Sequence, residues 1–232
     1  MKPTSSEDAR RMHATCTLHP RRGTLKTVNR KSDKQFLLSL PRNVYLCIKF
    51  SSMTDIALEL ALLRTLRGVE FVRQLKKVVQ SGIFKPVENE KDIFAAPGNH
   101  RDDFPLLLKA AHKAVDDGNK VYILPNPKGG RTADFIFESK GVYKMYDLKT
   151  ITGRSSVENR LIESIDQTNR VLINVCATYN ARVMAIQIKN YFNANPYALE
   201  VLIYKGKKTI SVTRRFVENP MYLILFRQKY EQ

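Results

Sequence analysis

Residues 131–152 read RTADFIFESKGVYKMYDLKTIT. Two runs rich in β-branched and aromatic residues, FIF and VYKMY, flank ESKG, which predicts a β-hairpin. Taking residues 138–141 as the turn sets Phe137 opposite Val142 and Thr132 opposite Asp147. Side chains alternate along a strand, so Asp134, Asp147 and Lys149 fall on one face. The two aspartates become diagonal neighbours, about 7–8 Å apart at the backbone. Carboxylates that close repel unless a cation lies between them. A hard divalent ion such as Mg²⁺, with Mn²⁺ or Zn²⁺ as alternatives, meets that demand. Lys149 would then position or deprotonate a water, or neutralise charge on a phosphate. The bland reading is a strand-end cap followed by a solvated strand face carrying a local ion pair.

The surrounding composition favours a polyanionic partner. The 232 residues carry 39 Lys and Arg against 22 Asp and Glu, a net charge of +17. Such an excess points first to nucleic acid and second to an anionic membrane surface. The apolar share of 43% excludes a disordered chain. No run of about 18 apolar residues predicts a membrane span. The opening MKPTSSEDARR lacks the apolar stretch of a signal peptide. Cys16, Cys47 and Cys176 lack metal-ligand spacing and read as reduced thiols, the last two within apolar strands. An intracellular, cytoplasmic setting follows.

Outward from the hairpin, residues 1–90 read as a basic extension: a polar arm over 1–35, a strand over 43–50 and an amphipathic helix from about residue 52, interrupted at Gly68. Residues 81–101, with Pro86, Pro97 and Gly98, supply the boundary. A second region, 91–232, has a regular alternation. It comprises a helix over 103–117 with Pro105 in its first turn and Gly118 as its stop, a strand over 120–124 and the hairpin strands at 132–137 and 142–151. A helix opened by a Ser155–Glu158 capping box follows, with Val157, Leu161 and Ile165 as its buried stripe. Then come a buried strand over 170–176, a helix over 181–191, strands at 198–204 and 208–213, and a last apolar element at 221–227. The class is mixed α/β.

The order helix with an acid, strand, x-D, turn, D-x-K, helix, strand resembles the PD-(D/E)XK nuclease pattern. The stretch GNKVYILPNPKGGRTADFIF…VYKMYDLKTITG is most similar to C-terminal toxin domains of contact-dependent growth inhibition systems, a branch regarded as tRNA nucleases. The resemblance covers residues 100–180. It implies a restriction-endonuclease-like core, a central mixed sheet flanked by helices, with a divalent metal and phosphodiester cleavage. On matching positions Asp134 and Asp147 would hold the metal and Lys149 would serve the attacking water. Gln167, on the helix after the hairpin, matches a polar position that faces the site; an exposed helix residue is the alternative. The acid of the first helix, usually Glu, would be Asp103 rather than Asp102, with Glu88 and Glu90 as lesser candidates. Ala133 stands where the pattern has proline.

Lys128, Arg131 and Arg160 are assigned to nucleic-acid contacts. Tyr143 and Tyr146 could stack on bases or belong to the core. The expectation is a metal-dependent endonuclease acting on RNA, tRNA above all, with an acidic immunity protein as a further partner. The alternatives are a DNase of the same fold and a non-catalytic basic nucleic-acid-binding protein.

Overall fold

The computed structural model describes residues 59–60, 62–63, 65–98, 103–125, 132–153, 156–165 and 167–232. The expected arm, the strand over 43–50, the start of the first helix, Asp102, Lys128, Arg131 and Ser155 lie outside these.

Gly68 interrupts the first helical stretch as its sequence suggests. It has φ +56 and opens helix α1, Gly68–Gln80. Strands β1 (Lys85–Pro86) and β2 (Ile93–Ala95) follow, then helix α2 (Phe104–Asp116) and strand β3 (Lys120–Ile123). Pro105 lies in the first turn of α2, where its missing N–H costs nothing. Gly118, at φ +81, ends that helix. The hairpin strands are β4 (Phe135–Ser139) and β5 (Val142–Ile151). Helix α3 (Val157–Ile162), strand β6 (Arg170–Val175) and helix α4 (Ala181–Ala194) come next. Strands β7 (Glu200–Lys205) and β8 (Lys208–Thr213) lead to helices α5 (Arg214–Val217) and α6 (Tyr222–Glu231).

The eight strands form one mixed sheet whose spatial order is the sequence order. β2 with β3, β5 with β6 and β6 with β7 are parallel; the remaining neighbours are antiparallel. One face packs on α2 through Val121, Ile123, Phe135, Phe137 and Tyr146. The other face carries two separate cores. One joins Leu75 and Val78 of α1 to Ile136 and Met145. The other joins α3, α4 and α6 to Ile151, Ile173 and Ile203. The near-continuous apolar runs of β6 and β7 are buried on both faces, as strands flanked by helices require.

Four expectations are corrected. The boundary at residue 90 falls between β1 and β2, which are paired through Lys85↔Ala95 and Pro86↔Phe94. Together with α1 they belong to a compact unit running from Ile48 to Gln232. The hairpin register is shifted by two residues. Lys140 and Gly141 both have positive φ, 52 and 78, so they alone form a two-residue loop of the type I′ kind. Ser139 then faces Val142 and Phe135 faces Tyr146. A shift of two preserves the face on which each side chain lies, where a shift of one would reverse it. Helix α3 is capped by Ser156, whose hydroxyl accepts from the Asn159 amide, rather than by Ser155. Cys176 lies just beyond β6 and is exposed.

Strand β5 pairs with its two neighbours over different halves of its length. Val142–Tyr146 pairs with β4, and Asp147–Ile151 pairs with β6. The sheet therefore forks between Tyr146 and Asp147. Side chains cover the backbone groups left at the fork, as buried polar groups require. The Asp134 carboxylate accepts from the Leu148 N–H at 2.7 Å, beyond the end of β4. The Thr168 hydroxyl donates to the Met145 carbonyl at 3.0 Å, before β6 begins.

Candidate active site

The fork holds the acids. Asp134 directly precedes β4, and its amide donates to the Tyr146 carbonyl at 3.0 Å. Tyr146 is the partner of Phe135, so Asp134 and Asp147 sit side by side rather than diagonally. Their carboxyl groups are close enough for the charge on Asp147 to act on Asp134. Asp147 is 2% exposed. Its Oδ2 accepts from the Ser164 hydroxyl at 2.5 Å and from the Lys149 ammonium at 2.9 Å.

Asp134 keeps a partly accessible edge in the cleft but is enclosed on its other sides. Burial, and then the adjacent Asp147 charge, push its carboxyl from 3.8 up to about 7. The Leu148 amide and Lys149 act in the opposite direction and do not prevail. Asp134 is thus the carboxyl of the two that is held toward its protonated form near neutral pH, as burial beside a second carboxylate dictates.

The cleft above the fork has a volume of about 400 Å³ and is lined by Asp103, Asp134, Asp147, Lys149, Arg160 and Gln167, among others. Six residues singled out from the sequence therefore meet in one place. Asp103 occupies the N-cap position of α2 and makes no side-chain cap bond. Arg160 pairs with Glu163 at 3.1 Å on the helix surface.

Gln167 lies beyond the end of α3 rather than on it. Its Nε2 donates to the Glu163 carbonyl at 3.0 Å and so satisfies a helix-end acceptor. It is nearly buried, and its Oε1 makes no hydrogen bond among the described residues. Glu90 is held by His112 at 2.7 Å, and neither Glu90 nor Glu88 lines this cleft. Tyr146 is buried, with its hydroxyl on Glu200 at 2.9 Å, and cannot stack on a base. Tyr143 packs against the α1 core.

Ser164 escaped the sequence reading. Val157, Leu161 and Ser164, at spacings of four and three, are all fully buried. The inward stripe of this segment therefore ends on a hydroxyl, with Ile165 only partly buried. A serine at the third position of an apolar stripe was the available signal.

Among the described residues no group of three or more His, Cys, Asp or Glu is placed to hold a metal. Two adjacent carboxylates still suit Mg²⁺, which keeps several waters and takes one or two carboxylates together with substrate phosphates. The donor set is all oxygen, which fits a hard cation better than Zn²⁺.

No family model and no curated protein matches the chain. A solved structure, the CdiA-CT/CdiI toxin and immunity complex from Burkholderia pseudomallei, is similar at 14% identity with a TM-score of 0.36, over 56% of this chain and 96% of that one. Among the described residues no helix is long and apolar enough to cross a membrane.

Proposed function

We propose that the chain is a metal-dependent endonuclease with a restriction-endonuclease-like core that hydrolyses phosphodiester bonds in RNA, tRNA foremost. The observation that carries this reading is the meeting of the Asp134 and Asp147 carboxyl groups beside Lys149, in an open cleft of a protein with a net charge of +17. Two adjacent carboxylates suit a divalent cation, and the excess of positive charge favours a phosphate-bearing partner.

Asp134 and Asp147 would hold the ion, which when bound supplies Lewis acidity toward a phosphate oxygen and a more acidic water. Ser164 fixes the rotamer of Asp147 through its 2.5 Å bond. The Lys149 ammonium, 15% exposed and tethered to Asp147, stands where it can steady negative charge developing on phosphate or take part in moving the water's proton. Asp103, which also lines the cleft, would add a third carboxylate. Arg160 positions the nucleic-acid backbone, as do Lys128 and Arg131 in this reading. As a toxin-like nuclease the protein would act in the cytoplasm of a recipient cell and be held in check by an acidic immunity protein covering its basic cleft.

The test incubates wild type, Asp147→Ala and Lys149→Ala with total tRNA and with plasmid DNA, in Mg²⁺ or in EDTA. Cleavage of tRNA that needs Mg²⁺ and is lost in both variants is the expected result. Cleavage of DNA alone would move the function to DNA processing. Tight binding without cleavage of either would make this a binding protein.

A further inference from the structure

A second cavity, about 480 Å³, opens beside the first, and Gln167 lines both. Its walls are Phe71 of α1, Met145 of β5, Ile165, and Asn169 just before β6. Arg67, the N-cap residue of α1, closes one side with its guanidinium over the Tyr197 ring, 5.7 Å from the centroid. Tyr197 is 65% exposed.

The ring of Phe71 is partly exposed and makes no ring contact among the described residues. The side-chain amide of Asn169 makes no hydrogen bond there either. An aromatic face beside the Asn169 amide and the Gln167 Oε1 supplies elements that recognise an unstacked nucleobase. An apolar ligand would leave the amides unsatisfied, and a bare phosphate would gain nothing from Phe71.

We infer that this cavity is a nucleobase pocket, which takes the base next to the phosphate bound at Asp134 and Asp147. The inference rests on the nuclease reading, and it adds the requirement that the substrate offer a base out of its helix, in a loop or single strand. Phe71 would stack on that base. Asn169 and the Gln167 Oε1 would read its edge.

The experiment uses wild type in EDTA with short single-stranded RNAs, each carrying one 2-aminopurine, whose fluorescence is quenched on stacking. Quenching on binding is expected at one position of the oligonucleotide. Phe71→Leu keeps the apolar contact with the α1 core but removes the flat face, and Asn169→Ala removes the polar edge. Phe71→Leu should weaken binding about fivefold or more, the lower end of one stacked base. In cleavage of tRNA by Asn169→Ala, the preference for one base beside the cut should fall to under about twofold. Unchanged quenching and affinity in Phe71→Leu, with unchanged base preference in Asn169→Ala, would overturn the pocket and leave the nuclease standing. Loss of quenching in Phe71→Leu, with no cleavage by wild type, would support the pocket and overturn the nuclease.

Discussion

Replacing Asp134 with Asn should stabilise the metal-free protein at neutral pH. In the folded chain the Asp134 carboxyl titrates at about 7, against 3.8 for an unperturbed group. Between these values the native state binds more protons than the unfolded state, so stability falls as pH rises through that window. Below pH 3.8 the contribution is fully present; above about 7 it is lost. A difference of about three pK units corresponds to a ceiling of about 4 kcal/mol. Water in the cleft reaches one edge of Asp134, so about half of that, about 2 kcal/mol, is the expected gain at pH 8. Asn keeps an oxygen for the Leu148 amide and can donate to Asp147, so the bond network survives. For a unit of this size 2 kcal/mol raises Tm by about 4–8 °C. Thermal unfolding of wild type and Asp134→Asn in EDTA, followed by circular dichroism from pH 4 to pH 8, measures the difference. The two curves should converge at acid pH and separate with rising pH. Added Mg²⁺ should raise the Tm of wild type more than that of the variant. An equal or lower Tm for Asp134→Asn at pH 8 would refute the account of the Asp134 proton.

Ser164→Ala should lower stability by about 1–3 kcal/mol in urea unfolding, because it leaves the buried Asp147 oxygen without its shortest donor. Cleavage should fall with it as Asp147 loses its fixed rotamer. Glu200 is a buried carboxylate of β7 held by Lys144, Tyr146, Ser211 and Arg170. Burial alone would raise its carboxyl, but the Ser211 hydroxyl and Lys144 outweigh burial and hold it below its ordinary value. Its contribution is present above the ordinary glutamate pKa and lost as pH falls through its lower folded value, the reverse of Asp134. Glu200→Ala should cost about 3–5 kcal/mol, read as a lower urea midpoint at pH 7. Gly141→Ala should cost about 1–2 kcal/mol through backbone strain alone, since φ is +78 and a Cβ there would meet nothing within 4 Å.

The grouping of Asp134, Asp147 and Lys149 was legible from the sequence because alternation has a period of two. Asp134, Asp147 and Lys149 keep their common face under either register, so an error of two residues in the turn left their grouping intact. The register itself was not legible, since it depends on Lys140 taking a left-handed conformation that Asn or Gly would have advertised. β1 and β2 were read as a boundary because two- and three-residue strands among Pro and Gly show no period. The placement of Gln167 failed because α3 stops at Ile162 while its apolar stripe continues into the turn. Glu200 gave no local sign of its role. Its partners come from β5, β6 and β8, and their convergence is a property of the folded sheet.

The fork in β5 sets a lower limit on what could be transplanted. A hairpin bearing the two aspartates and the lysine, grafted onto another sheet, would zip up along its whole length, with the residues before Asp134 pairing to the second half of β5. The Leu148 N–H would then bond to backbone, and Asp134 would be free to swing away from Asp147. The least portable unit is residues 132–175: both hairpin strands, the turn that carries Ser164, and β6, which pairs with the half of β5 beyond the hairpin. Homologous recombination or domain shuffling that cuts within this span should separate the two acids even where every site residue is retained.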